Sequence, residues 1–213
     1  MKKVNTFQIF TNIYIGLFLF GFISLLIIEK GDLVYLLNGI HTPFLDYLFK
    51  YTTHIGHGIL FVPLILSLLF IRYKYAIAGL MVAVGHGLIL SFLKKVVFKG
   101  APRPTAFLTD TSGLHFVEGV KVHTSNSFPS GHTATAFAFC LFLTFLINKR
   151  SWGALLLFLA ILGGASRIYL LQHFYIDVVV GGFIGSIVAI LTWKWVQNES
   201  KFAWLDMKIN LKK

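Results

Sequence analysis

The chain has 213 residues, 56% of them hydrophobic and only 13% charged, with a mean hydropathy of +0.77. That composition excludes an ordinary soluble domain and points to a single membrane bundle over residues 1–213. The formal net charge of +11 would suggest nucleic acid for a soluble chain, but membrane topology itself distributes Lys and Arg unevenly, so the apolar runs argue against that partner.

A membrane-crossing helix needs roughly 20 apolar residues. Such segments are expected at about 7–28, 58–72, 75–94, 130–147, 153–170 and 176–197. The fold class is therefore all-α, a polytopic bundle of about six transmembrane helices with both termini on one side. Met1-Lys2-Lys3 leads into an apolar run from Ile9 to Ile28. The run is too long for a signal peptide and lacks a small-residue cleavage pattern, so it reads as a retained first helix.

Between the first two segments, Pro43 to His57 sets Asp46, Lys50, His54 and His57 at helical spacing. This predicts an amphipathic helix in the membrane interface. Its polar face is either a solvated side of a packing helix or a guide for a lipid headgroup. The short second segment is expected to extend back toward Ile55. In the third segment His86 lies between Gly85 and Gly87, which suggests a buried histidine at a close helix contact.

Residues 98–128 are polar and irregular, with Asp110, His115, Glu118 and His123 in no metal-ligand spacing, so a solvated loop is favoured over a metal site. The single cysteine, Cys140, rules out an intrachain disulfide and reads as a buried thiol. Gly181 and Gly185 form a small-xxx-small pair suited to bundle packing. Trp152, Trp193 and Trp195 sit near expected helix ends, as interfacial anchors do. The tail after Gln197, with Phe202, Trp204 and Leu205, is expected to rest on the inner surface.

Lys and Arg divide between the two ends of these segments. One end carries Lys2, Lys3, Arg72, Lys74, Lys149, Arg150, Lys194, Lys201, Lys208, Lys212 and Lys213. The positive-inside rule makes it cytoplasmic. The other end carries Lys30, Lys50, Lys94, Lys95, Lys99, Arg103, Lys121 and Arg167. Arg103, His132, Arg167 and His173 then all fall at the outer face, from loops distant in sequence.

Three stretches hold the chemistry. Pro129-Ser130-Gly131-His132 opens a helix, whose free N–H groups and positive dipole end make an anion site. Gly131 lets a phosphate near the backbone, Ser130 adds a hydroxyl, and His132 projects at the membrane surface. In the second stretch, Ser166-Arg167 leads to His173 and Asp177, four residues apart. On a helix those two share a face, and a carboxylate on one imidazole nitrogen leaves the other free to attack. Arg167 offers a planar fork of donors suited to phosphate oxygens. The third stretch has Lys94, Lys95, Lys99 and Arg103 at a helix end, with Pro102 and Pro104 stiffening Arg103; at least one of the lysines reads as a snorkelling anchor. Together these groups suit phosphoryl transfer, which needs mainly positioning and charge stabilisation, without a metal or other cofactor.

In these motifs, from about Lys94 to Asp177, the chain resembles the type 2 phosphatidic acid phosphatase family, which shares a core with vanadium haloperoxidases and membrane glucose-6-phosphatase. The family pattern is a Lys six residues before Arg-Pro, then Pro-Ser-Gly-His, then Ser-Arg-x5-His-x3-Asp. The second and third parts match unchanged. In the first, the strict lysine position holds Val96, which leaves Lys95 as the choice. The resemblance implies a lipid phosphate phosphatase in the cell membrane, acting at its outer face through a phosphohistidine. His173 would be the nucleophile, Asp177 its orienting partner and His132 the acid and then the base. Lys95, Arg103, Arg167, Ser130 and the Gly131 backbone would bind phosphate. The substrates left open are phosphatidate, phosphatidylglycerol phosphate, isoprenyl phosphates or diphosphates, and lipid A; the alternative functions are a lipid-to-lipid phosphotransferase, a phosphatase of a soluble ester, and a non-catalytic lipid-binding or transport protein.

Overall fold

The computed structural model describes residues 5–198 and 203–210. Among them there is no strand. Helix α1 spans Thr6–Ser24, α2 Asp32–Gly39, α3 Pro43–Thr52, α4 Phe61–Leu69 and α5 Tyr73–Phe92. The short α6 (Pro104–Phe107) is followed by α7 Gly131–Ile147, α8 Arg150–Tyr169 and α9 Tyr175–Asn198.

Helix α7 is the axis of the bundle. Its sequence is apolar all round, as a fully buried helix requires. Eleven of its positions, among them Phe137, Cys140, Leu141 and Phe142, are buried. The glycines of α9 allow close approach here: a Cβ at Gly181 would strike the Ser130 carbonyl, and one at Gly185 the Ala134 carbonyl. The small-xxx-small pair thus packs one helix of this chain on another. Phe10, Tyr14 and Phe18 of α1 complete the core.

Six segments run alternately between two ends of the bundle. Four of them, α1, the stretch Tyr73–Val97, α8 and α9, are long and apolar enough to cross a bilayer. The expected second span is instead a bent pair, Pro43–Gly56 and Gly58–Leu69, meeting at 56°. It raises the number to five if counted as one span. Helix α7, with 17 residues, is about 25 Å long against a hydrocarbon layer of about 30 Å. Of the six expected spans, four, or five with the bent pair counted as one, have the length and apolarity of a crossing helix among the described residues, and α7 falls short of that length.

At the end away from the motifs, Thr6 Oγ1 donates to the Asn148 carbonyl between α7 and α8 (3.4 Å). The tail returns to the α4–α5 turn there: Tyr73 N–H donates to the Met207 carbonyl at 2.9 Å, and Arg72 and Lys74 pair with Asp206 at 3.0 and 2.7 Å. Leu205 is buried and Trp204 exposed, whereas Lys2, Lys3, Lys201, Phe202, Lys212 and Lys213 lie outside the described residues. Of the expected interfacial anchors, Trp152 is exposed, but Trp193 is buried against Tyr75, Phe142 and Phe145 and serves as core.

At the motif end, α2 and α3 support the long loop. Buried Asn38 donates to the His115 and Tyr169 carbonyls (2.8 and 2.9 Å) and accepts from His115 N–H (2.8 Å). Asp46 accepts from His115 at 2.8 Å and from Tyr169, and Lys50 donates to the Glu118 carbonyl at 2.7 Å. The polar face of α3 thus anchors the 108–123 loop, while Phe44, Tyr47 and Tyr51 on its other side are exposed.

Candidate active site

The three motifs meet around a cavity of about 360 Å³ at one end of α7. Its lining includes Lys94, Arg103, Gly131, His132, Arg167 and His173, together with Lys50, Lys121, Gln172 and His123, and contains no acidic side chain.

His173 is held by the link between α8 and α9. Leu171 takes a left-handed conformation (φ 58°), and the N–H groups of Gln172 and His173 both donate to the Arg167 carbonyl (2.9 and 3.0 Å). His173 therefore precedes α9 rather than lying on it, and its pairing with Asp177 is made across the first turn of that helix. Its Nδ1–H donates to Asp177 at 3.2 Å. The same carboxylate oxygen accepts from Phe174 N–H at 3.0 Å and from the Ser127 hydroxyl. The other ring nitrogen, Nε2, lies 3.5 Å from Arg103 Nη1. Burial is the main cause pushing the His173 pKa down, and the Asp177 carboxylate works against it. The ring is thus a neutral imidazole with a fixed tautomer and a free nitrogen, the form a nucleophile needs.

Arg103 is braced through its Nε to the Ser125 carbonyl (2.9 Å) and through Nη1 to the backbone and side-chain oxygens of Gln172 (2.7 and 3.0 Å). Arg167 donates to Thr53 Oγ1 at 2.5 Å, and its Nε is buried without a partner among the described residues. A buried guanidinium N–H without an acceptor is costly, and a phosphate oxygen in the cavity would satisfy it.

Ser130 is the N-cap of α7, not part of its first turn, and Pro129 before it is joined to Phe128 by a cis peptide. The Ser130 hydroxyl is fully buried against Thr133 Oγ1 (2.8 Å). Ser130 is absent from the cavity lining, whereas Gly131 is in it, and a Cβ there would meet nothing within 4 Å. The first N–H groups of α7 lack intrahelical acceptors, and Gly131 and His132 at that end line the cavity, a place where such groups can receive an anion.

The lysine differs from the expectation. Lys94, on a π-helical turn that ends α5, lines the cavity and donates to the Asn126 carbonyl at 2.9 Å. Lys95 faces a neighbouring cavity, which it shares with Lys94, His132 and His86. His86 is buried, bonded through Nδ1 to the Val82 carbonyl and through Nε2 to Thr135 (3.1 Å), in a close-packed position as expected. Gly85 approaches Val188, while Gly87 faces open space. Among the described residues no three His, Cys, Asp or Glu side chains gather to hold a metal ion.

The sequence reading missed Ser127, Gln172 and Thr53, which hold Asp177, Arg103 and Arg167. Ser127 and Gln172 lie beside the motifs, but nothing in their spacing marks them. Thr53 lies 114 positions from Arg167 and leaves no signal.

Residues 56–201 match the PAP2 superfamily. The chain belongs to that family. A curated relative, the lipid A 4'-phosphatase of Bacteroides thetaiotaomicron, is 29% identical over 164 residues, covering 72% of this chain and 71% of the relative. The crystal structure of LpxE from Aquifex aeolicus has 29% identity and a TM-score of 0.66, covering 78% of this chain and 94% of that one. The crystal structure of a transmembrane PAP2-type phosphatidylglycerolphosphate phosphatase from Bacillus subtilis has 23% identity and a TM-score of 0.62 over 89% of this chain and 98% of that one. That last likeness is one of fold. Family membership and these relatives support the expected membrane lipid phosphatase.

Proposed function

We propose that this protein is an integral-membrane lipid phosphatase that hydrolyses a phosphomonoester on a glycolipid of the lipid A class. The observation that carries the chemistry is His173, buried, oriented by Asp177, with free Nε2 beside Arg103 in a cavity lined by cations and imidazoles. The lipid A class is favoured by the Bacteroides relative, a lipid A 4'-phosphatase that aligns over most of both chains.

In this mechanism the Nε2 lone pair of His173 attacks phosphorus and the ester P–O bond breaks. His132 gives its proton to the leaving oxygen. Arg103, Arg167, Lys94 and the N–H groups at the start of α7 hold the phosphoryl oxygens as charge spreads over them. Asp177 stabilises the positive charge that develops on the His173 ring. Water then attacks phosphorus, His132 takes its proton, the N–P bond breaks, and phosphate leaves with His173 restored. Lys94 takes the role expected of Lys95, and Ser130 acts by capping the helix. All six passes cross the bilayer in this reading, with the termini cytoplasmic and the cavity on the outer side.

The test is phosphate release by detergent-purified protein in EDTA from lipid A, phosphatidate, phosphatidylglycerol phosphate and undecaprenyl diphosphate. Lipid A is expected to react fastest, and His173→Ala to abolish release. Faster release from another lipid would overturn the substrate assignment, and release by His173→Ala would overturn the mechanism.

A further inference from the structure

The general acid-base His132 has a histidine neighbour that the family motifs do not contain. Thr53–Gly56 forms a 3-10 turn after α3, and His57 follows it at the bend before α4. This turn is pressed against α7. A Cβ at Gly56 would fall 2.5 Å from the His132 carbonyl oxygen and 2.7 Å from the His132 Cβ, so only glycine fits that contact. The His57 ring stands edge-to-face with the His132 ring, at 5.1 Å between centroids and 77° between planes. On its other side His57 meets His54, Nε2 to Nδ1 at 3.4 Å. Thr53 of the same turn holds Arg167.

From this geometry we infer that His57 is a positioning residue for His132, fixing its ring plane in the cavity. An edge-to-face pair restrains both rings, since aromatic rings prefer that arrangement. Arg167 from α8, Arg103 from the long loop, His173 from the α8–α9 link and Lys94 from the end of α5 share the cavity of His132, and His86 of α5 and Lys95 lie in the adjoining one. Every charged group among these is a cation, and cations oppose a proton on His132. Around His57 itself stand His54, Arg167 and His132, so a proton on His57 would add a further like charge against His132. What His57 supplies is therefore orientation, holding the His132 ring where its proton reaches the leaving oxygen.

This inference rests on His132 acting as acid and base, and its test separates the two ideas. Purified His57→Phe, His57→Ala and wild-type protein are compared for kcat and KM, with melting temperature as a control. His57→Phe keeps an aromatic ring against His132 and is expected to hold kcat within about threefold of wild type. His57→Ala is expected to lose about tenfold in kcat with little change in KM, a part of the roughly 10²–10⁴ that general acid catalysis supplies. Wild-type kcat in His57→Ala would overturn the inference. So would equal losses of kcat in both variants with a lowered melting temperature, which mark a structural role alone. Loss of activity in His132→Ala is required of the mechanism in any case, so full activity there would sink the mechanism and not merely the role of His57.

Discussion

Asp177 ties several parts of the site together. One oxygen accepts from Ser127, His173 and Phe174, and its backbone carbonyl accepts from Ser130 N–H at 2.9 Å. The carboxylate orients the His173 ring, while the backbone bond ties the start of α7 to α9. His173 carries a second consequence. Its pKa in the folded protein lies below the ordinary 6.5, chiefly because the ring is buried. The unfolded chain therefore takes up a proton near pH 6.5 that the folded protein refuses. Stability from this group is complete above that pH and is lost as pH falls below it, by up to about 1.4 kcal/mol per pH unit. The melting temperature in detergent should thus drop between pH 7 and 5, and His173→Asn should flatten that drop. On the proposed mechanism the same depression favours a neutral His173 at mildly acid pH, and the acid limb of activity is expected to fall below pH 6.5 in a pH–rate profile.

At the level of the helices, α7 and α9 form the pair on which the site depends. Their backbones approach closely because Gly181 and Gly185 lack side chains at the contact. Overpacking a tight contact costs about 1–3 kcal/mol. Gly181→Ala is expected to lower the melting temperature and also kcat, because the Ser130 backbone it would strike is bonded to Asp177. Gly185→Ala, one turn deeper against Ala134, is expected to lower the melting temperature with a smaller loss of kcat. Parallel melting and kcat measurements would check this, and a wild-type melting temperature for both would contradict the packing argument. Helix α3 and the turn after it have a comparable double use. Their polar residues look from sequence like a solvated face or a headgroup guide, yet Asp46 and Lys50 anchor the loop and His54 of the turn lines the cavity.

Over the whole molecule, charge separates along the bundle axis. Arg72, Lys74, Lys149, Arg150, Lys194 and Lys208 lie at the end opposite the cavity, and the cations at the cavity end are largely those that line it. By the positive-inside rule this distribution supports the proposed topology, with the cavity outward. Buried Cys140 is the chain's single cysteine, so an introduced thiol reports topology cleanly. Ser112→Cys, in the exposed loop, is expected to react with an impermeant maleimide on intact cells. Ser151→Cys, at the start of α8, is expected to react only after lysis. The reverse pattern would place the active site on the cytoplasmic side.

The sequence by itself determined the helices, because a bilayer fixes the length of an apolar run, and it determined the chemical residues that act locally. His173 and Asp177 are four positions apart, and Gly131 and His132 sit beside a helix cap, so their relation survives without knowledge of the rest. Only the tertiary structure decided which lysine faces the cavity, because each residue along a helix turns the side chain by about 100° and the π-helical turn at Leu93–Val97 resets that phase. It alone joined Thr53 to Arg167 and Ser127 to Asp177, bent the second pass and buried Trp193. Such contacts link positions far apart in the chain through packing, and packing leaves no periodic trace in a sequence.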